Sequence, residues 1–227
     1  MPQAPVLAID GPSGSGKGTV CRRVAAALGW HLLDSGALYR LVAHGAAAGG
    51  VGAEDIAAHA AYARTMDVVF GSTAGGEERI LLGGLDVTRA IRTEEAGAAA
   101  SRVAAWPPVR DALVERQRAF AVPPGLVADG RDMGSVIFPD AALKVFLTAS
   151  AEERAARRHK QLMEKGINAN LAALSLEIAE RDRRDATRAV APLAATPDAI
   201  TIDSTHLPPD VVVAQVLSLA RARFAVG

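Results

Sequence analysis

The sequence predicts an α/β fold: a five-stranded parallel sheet flanked by helices, with an inserted small antiparallel β subdomain and a helical lid. Three observations predict it. Five short apolar runs, typical of buried strands, alternate with helix-compatible segments. A glycine-rich loop joins the first apolar run to the first helix. Three strand-like runs between residues 66 and 87 are separated by glycine-rich turns, which is typical of a small antiparallel sheet.

The apolar runs place the core strands at 6–9, 30–33, 126–128, 143–147 and 199–202. Helices are expected at 20–28, in the stretch after Ser35, at 93–102, 109–120, from Ser150 onwards, at 171–188 and after Pro208-Pro209. The predicted organisation is a single domain over residues 1–227. Its core comprises 1–62, 121–150 and 189–227, the insert about 63–120, and the lid region about 151–188.

A phosphate-binding pattern lies between the first strand and the first helix, at Gly11-Pro12-Ser13-Gly14-Ser15-Gly16-Lys17-Gly18-Thr19. Its glycines allow backbone N–H groups to face phosphate oxygens, the helix N-terminus adds a positive dipole, and Lys17 adds a mobile charge. Gly18 stands where the strict pattern has Ser or Thr, so direct contact of the Thr19 hydroxyl with Mg²⁺ stays open. A dinucleotide-binding turn would need G-x-G-x-x-G and no lysine. The loop therefore predicts binding of a nucleoside triphosphate.

Composition limits the partners. Lys+Arg and Asp+Glu balance at 25 each, so the chain lacks the positive field of most nucleic-acid binders, and neither nucleic acid nor a membrane surface is expected. The single cysteine, Cys21, excludes an internal disulfide, and the five histidines lack metal-ligand spacing. No signal peptide or membrane span is recognisable, which predicts a cytoplasmic protein.

Charged residues follow two of the predicted strands. The run Asp129-Gly130-Arg131-Asp132 offers a carboxylate for Mg²⁺ or its waters and a planar guanidinium for a phosphate, although Asp and Gly are also common in ordinary turns. After the second strand, Ser35 and Arg40 either contact a second ligand or serve as a helix cap and a solvated arginine.

Arginines also crowd two helices on either side of Lys165-Gly166. The first helix opens with a capping-box pattern, Ser150-x-x-Glu153. The arginines of the two helices are Arg154, Arg157, Arg158, Arg181, Arg183, Arg184 and Arg188. Beside a phosphate-binding loop such a pair is typical of a mobile lid that excludes water and stabilises transferred charge. Two exposed helices with i,i+4 ion pairs are the alternative.

Over essentially its whole length the chain resembles the cytidylate kinases of bacteria, a family of P-loop nucleoside monophosphate kinases. The resemblance is carried by residues 9–19, 33–40, 91–94, 128–134, 138–141, 149–155, 181–185 with 191–193, and 202–205. The Gly18-Thr19 ending of the loop is itself usual among nucleoside monophosphate kinases. The resemblance implies that a monomer transfers the γ-phosphoryl group of ATP to CMP or dCMP, with Mg²⁺.

The resemblance also implies roles for individual residues. Arg40, Arg131 and Arg188 are expected to bind the acceptor phosphate, Ser101, Arg110 and Asp132 the cytosine edge, and Ser35 and Asp185 the sugar. Lys17, Arg131, Arg188, Arg181 and Arg158 are the expected catalytic residues, with Arg154 a further lid candidate. Thr19 and Asp129 are the candidates for metal binding, directly or through water.

Other functions share parts of this pattern. A kinase of another small acceptor, such as shikimate, gluconate or UMP, would keep the loop and the lid but need a different acceptor pocket. A nucleotide-dependent switch would be expected to show guanine-reading or effector motifs, which are not recognisable in the sequence. A P-loop protein with a purely structural role would tolerate the loss of Lys17.

Overall fold

The computed structural model describes residues 4–73, 78–164, 166 and 168–224. In this part of the chain the strands are β1 Val6–Asp10, β2 His31–Asp34, β3 Val68–Ser72, β4 Glu78–Leu82, β5 Leu85–Asp86, β6 Leu126–Gly130, β7 Leu143–Thr148 and β8 Ile200–Asp203. The helices are α1 Lys17–Leu28, α2 Ser35–Ala48, α3 Ile56–Thr65, α4 Glu94–Val103, α5 Pro107–Arg118, α6 Ala151–Glu164, α7 Leu171–Thr187 and α8 Pro209–Phe224. A 3₁₀ turn (Ala90–Arg92) and a π-helical turn (Met133–Ile137) complete them.

One of two compact units contains the described residues of 1–34 and 117–227. Its five strands form a parallel sheet in the order β2-β6-β1-β7-β8. All five residues of β1 are buried, as expected for a central parallel strand covered on both faces. After β1 the chain continues to one side of the sheet, and after β7 to the other. The carboxyl ends of β1 and β7 therefore border the crevice in which α/β proteins bind ligands.

The other compact unit contains residues 35–116, apart from those outside the described set. Its antiparallel sheet has the order β3-β4-β5, and α2, α3, α4 and all but the last two residues of α5 belong to the same unit. This unit begins at Ser35, whereas the insert is predicted at about 63–120. Helix α2 and most of α3 therefore belong to the same compact unit as the predicted insert. Gly83 and Gly84 form a turn with positive φ angles. The turn predicted at 71–76 extends into residues 74–76, which lie outside the described residues. The expected fold class is confirmed.

The ends of several elements differ from the prediction for physical reasons. Helix α1 begins at Lys17 because Gly16, with a φ of 92°, places the turn directly before it. Helix α5 begins at Pro107, since the first turn of a helix needs no proline N–H. The predicted capping box is only half formed. Ser150 Oγ accepts from Glu153 N at 3.2 Å, but the Glu153 carboxylate accepts from Arg157 and the Ser150 N–H binds Thr205.

Helices α6 and α7 are the predicted lid helices. Helix α6 ends at Glu164 and α7 begins after Asn170, whose side chain accepts from Ala173 N at 3.0 Å. Gly166 has a φ of 73°, so the chain leaves the helical conformation there. Lys165, the other residue of the predicted junction, lies outside the described residues. Within the described ranges, no helix is both long enough and apolar enough to cross a membrane.

Candidate active site

The loop at residues 11–19 lies at the carboxyl end of β1. Gly11 has a φ of 148°, and a Cβ on it would lie 2.0 Å from the carbonyl oxygen of Leu147 at the end of β7. Gly14 and Gly16 also have positive φ angles. Only glycine allows this path without strain. The predicted strand–loop–helix context is present, and the binding of ATP by these nine residues stays a prediction.

Lys17 is the first residue of α1, and its side chain turns back into the loop. Its Nζ donates to the Pro12 carbonyl oxygen at 2.7 Å and to Ser15 Oγ at 3.4 Å, and the residue is 5% exposed. Burial, with the nearby Arg131 charge, lowers the pKa of Lys17 to about 7. An anion in the loop would favour the ammonium form, so the loop holds a charge that a phosphate group would stabilise.

Backbone carbonyl groups of the loop are held from two other parts of the unit. Arg154 of α6 donates through Nη1 to the Ser13 carbonyl oxygen at 3.0 Å. Ser204, directly after β8, donates from Oγ to the Ser15 carbonyl oxygen at 3.1 Å. Arg157 in turn donates through Nη2 to the Ser204 carbonyl oxygen at 2.5 Å. These contacts fix the loop before any ligand binds. Ser204 has no predicted role, and Arg157 is predicted only as one of the lid arginines, not as a support of the loop.

Arg154 and Asp182 join the two lid helices. The Arg154 guanidinium donates to both carboxylate oxygens of Asp182, at 3.0 and 2.5 Å, and its Nε donates to the Ala149 carbonyl oxygen. Contact with a transferred phosphoryl group would require some of these bonds to open. The other lid candidates are less buried. Arg158 Nη1 donates to Gln161 at 3.3 Å, and Arg181 lies half-buried on α7. Their catalytic roles stay predictions.

Asp129 is the candidate metal-binding carboxylate. It is the next-to-last residue of β6 and pairs with Ile9 of β1, and a Cβ on Gly18 would lie 3.6 Å from Asp129 Oδ2, so the carboxylate lies against the loop. Burial raises the pKa of Asp129 to about 6, against the opposing effect of Lys17. Asp34 of β2 is its partner in the sheet register. The exposed Thr19 hydroxyl follows in α1.

These groups fit Mg²⁺. The carboxylate and hydroxyl oxygens are hard donors, and a cation would offset the burial of the Asp129 charge. Among the described residues, no three His, Cys, Asp or Glu side chains are grouped as a metal site. Mg²⁺ bound here would therefore take its remaining ligands from phosphate and water, as is usual at nucleotide sites. Asp129 and Thr19 would hold it, directly or through water.

Four predicted acceptor-binding residues of this unit lie close together. Arg131 Nε donates to Asp185 Oδ2 at 3.1 Å, and Arg188 Nη2 lies 4.0 Å from Asp132 Oδ1. Asp132, Asp185 and the Arg188 side chain are buried. Arg188 Nε also donates to the Ala191 carbonyl oxygen. The result is two arginine–carboxylate pairs, one buried (Arg188 with Asp132) and one partly exposed at Arg131, which is an arrangement able to bind an anionic group and a polar ring together.

The remaining predicted acceptor-binding residues belong to the unit of residues 35–116. Arg40 Nη1 donates to the carbonyl oxygens of Ile91 and Thr93, at 2.9 and 3.2 Å. The Arg110 guanidinium lies 6.0 Å from the ring centroid of Tyr39 and donates to the Ala104 carbonyl oxygen. Ser35 begins α2 and Ser101 lies in α4, and both are buried. Burial of Ser101 and Arg110 is unusual for surface-type residues and fits a ligand-binding role.

Asp10 is a buried charged residue that the prediction did not assign to the site. Its Oδ1 accepts from Met133 N and its Oδ2 from Gly134 N, both at 2.8 Å. Burial raises the pKa of Asp10 to about 6, against the opposing effect of these two amide hydrogen bonds. The available signal was a carboxylate at the end of an otherwise apolar strand. Its partners lie 123 and 124 residues away, and no local pattern indicates them.

A glycine-rich loop with a buried lysine, at the carboxyl end of the central strand of a parallel sheet and bonded to an arginine-rich helix, defines a P-loop kinase. Comparisons with known proteins narrow this class. The family model for cytidylate kinase matches residues 7–222. A cytidylate kinase from Azotobacter vinelandii is 58% identical over 98% of this chain and 97% of its own length. One from Aeromonas salmonicida is 56% identical over 97% and 96%.

The chain belongs to the cytidylate kinase family, so the resemblance in the sequence is confirmed and the protein is a nucleotide kinase. A solved structure of an uncharacterized protein from Eubacterium ventriosum has a TM-score of 0.50 at 14% identity, covering 96% of this chain and 99% of that one. At this identity the likeness is one of fold alone.

Proposed function

We propose that the protein transfers the γ-phosphoryl group of ATP to CMP or dCMP, giving ADP and CDP or dCDP, by in-line, Mg²⁺-assisted transfer. The observation that carries this proposal is the buried Asp132 carboxylate. It follows β6, the strand beside β1, and lies 4.0 Å from Arg188. A carboxylate held there can accept a hydrogen bond from the amino group of cytosine. The membership in the cytidylate kinase family supports the same acceptor.

The loop and its lysine serve the donor in this proposal. The backbone N–H groups of residues 11–19 bind the triphosphate, and Lys17 leaves Pro12 and Ser15 to follow the outer phosphates. Mg²⁺, held by Asp129 and Thr19 directly or through water, would neutralise the negative charge that develops on the leaving group. Arg131 and Arg188 bind the acceptor phosphate through their planar guanidinium groups. No residue need act as a strong base, because a phosphate acceptor is already ionised near neutral pH, and catalysis consists of positioning and charge stabilisation.

Asp132 supplies the selectivity for the base. Cytosine presents an amino group where uracil presents a carbonyl oxygen. UMP would therefore place two acceptors against each other in a buried site, at the cost of an unsatisfied carboxylate. Ser35, Arg40, Ser101 and Arg110 stay predicted CMP contacts from the family resemblance. We expect the protein to act as a monomer without nucleic acid or membrane partners.

Replacement Asp132→Asn tests the base assignment. The amide removes the charge and offers a donor, so we expect the ratio of kcat/KM for CMP to kcat/KM for UMP to fall by about 10- to 100-fold. The KM for ATP should stay unchanged. The matched control is Asp140→Asn, which removes an exposed carboxylate eight residues further along. An unchanged ratio in Asp132→Asn would remove this residue from the base pocket.

Replacement Asp185→Asn tests the sugar assignment. If the carboxylate accepts from the 2′-hydroxyl group, its neutralisation should lower kcat/KM for CMP by about tenfold more than kcat/KM for dCMP. Asp185 also accepts from Arg131 at 3.1 Å, so some loss common to both acceptors is expected. The comparison of the two acceptors separates these effects. Equal losses would mean that Asp185 only orients Arg131.

A further inference from the structure

The turn that carries Asp132 is capped by a residue from a different strand. Asp132 occupies the position directly before the π-helical turn Met133–Ile137, and its own side chain makes no capping hydrogen bond. An aspartate at this position normally accepts from the amide of the second or third residue of its own helix, which here would be Gly134 or Ser135. Here the two oxygens of Asp10 accept from Met133 N and Gly134 N, at 2.8 Å each.

Because Asp10 caps this turn, the Asp132 carboxylate can point away from it. The amides of Met133 and Gly134 are buried, so each needs an acceptor. Because Asp10 satisfies both, the Asp132 side chain is not drawn into its own turn and extends to within 4.0 Å of Arg188. The negative charge of Asp10, which lies near that of Asp132, also disfavours an inward position of the second carboxylate.

We propose that Asp10 is a positioning residue for recognition of the acceptor base. By capping the turn that begins at Met133, it keeps the Asp132 carboxylate directed at the base. This inference rests on the proposed function of Asp132. It adds Asp10, the last residue of β1, to the residues on which recognition of the base depends. Asp10 directly precedes the phosphate-binding loop, so the end of β1 supports both the donor site and the acceptor site.

The substitution Asp10→Asn tests the inference. An amide has one acceptor oxygen for two N–H groups, and its own NH₂ group would face the second. The turn would then lose part of its cap from Asp10, and Asp132 would turn inward to accept from Gly134 N, the amide that a residue at its position normally caps. We expect the ratio of kcat/KM for CMP to that for UMP to fall by about tenfold or more, mainly through the KM for CMP. The KM for ATP should change less than twofold.

A double-mutant cycle identifies the route of the effect. If Asp10 acts through Asp132, Asp10→Asn should lower the ratio in the wild-type background but not further in Asp132→Asn. The control is Asp129→Asn, which neutralises another buried carboxylate near Lys17. It should lower turnover and leave the ratio unchanged. If Asp10→Asn instead lowers kcat equally for CMP and UMP, Asp10 serves the loop and the inference is wrong.

A second variant covers the case in which Asp10→Asn does not fold. In Asp10→Glu the negative charge remains, but the added methylene group displaces both carboxylate oxygens from the amides of Met133 and Gly134, which lie 2.8 Å from them in the structure. The ratio should again fall, and an unchanged ratio would contradict the inference. The proposed function fails separately, if the wild type does not prefer CMP over UMP or if Asp132→Asn keeps the preference.

Discussion

Replacement of Lys17 by methionine should lower kcat with ATP and CMP by about 1,000-fold and leave the protein folded, because one preorganised charge at a phosphoryl-transfer site contributes about this much. Methionine keeps the length and the apolar stem of a side chain that is 5% exposed. It removes only the ammonium group, which donates to Pro12 and Ser15 in the structure. The measurement is steady-state kcat together with thermal unfolding.

Lys160→Met is the matched control for Lys17→Met. Lys160 lies exposed on α6, so the same replacement of lysine by methionine removes a charge that is not assigned to the site. Its kcat should remain within about twofold of the wild type, as is usual for exposed substitutions. Turnover near the wild-type value in Lys17→Met would show that the loop does not hold the transferred phosphates, and the structural alternative for the loop would gain support.

Gly11→Ala should destabilise the protein strongly. The new Cβ would lie 2.0 Å from the Leu147 carbonyl oxygen, at a φ of 148° that other residues rarely adopt. Since the opposing atom belongs to the backbone of β7, the loop or the strand must move. We expect the free energy of unfolding to fall by about 3 kcal/mol or more. Denaturant unfolding measures this loss, and the KM for ATP should rise with the displacement of the loop.

Gly29→Ala separates backbone strain from steric overlap. Gly29 ends α1 with a φ of 65°, but no atom lies within 4 Å of the position of its Cβ. The strain alone should cost about 1 kcal/mol. If Gly11→Ala and Gly29→Ala lower the free energy of unfolding equally, steric overlap with Leu147 adds nothing to the backbone strain. That result would contradict the close packing of the loop against β7.

Local sequence patterns predict much of this fold. Apolar runs locate the five core strands, most clearly β1, β6 and β7, because strands buried on both faces cannot contain many polar residues. The edge strands β2 and β8 are more exposed. Gly16 and Gly29 mark the two ends of α1, where only glycine has the required backbone freedom. The order β2-β6-β1-β7-β8 lies outside such patterns, since it depends on crossover connections and not on the strands themselves.

The site was harder to predict than the fold, because its parts are far apart in the chain. The phosphate-binding loop is a single continuous motif and was recognisable alone. The sequence predicts Arg154 only as a candidate of the lid, whereas the structure shows it bound to Ser13 and Asp182, which are 141 and 28 residues away. The hydrogen bonds from Met133 and Gly134 to Asp10 likewise join residues that are 123 and 124 positions apart. Only the resemblance to a family could single out Ser101 and Arg110, since helix periodicity does not distinguish them from core or surface residues.

We propose CMP or dCMP as the acceptor of this kinase. The most direct measurement of acceptor choice is ADP release with Mg²⁺ and ATP in the presence of CMP, dCMP, UMP, AMP, GMP or shikimate, each tested alone. We expect fast turnover with CMP and dCMP, weak turnover with UMP and none with the others. Fast turnover with a different acceptor, or ADP release that needs no acceptor, would contradict the claim.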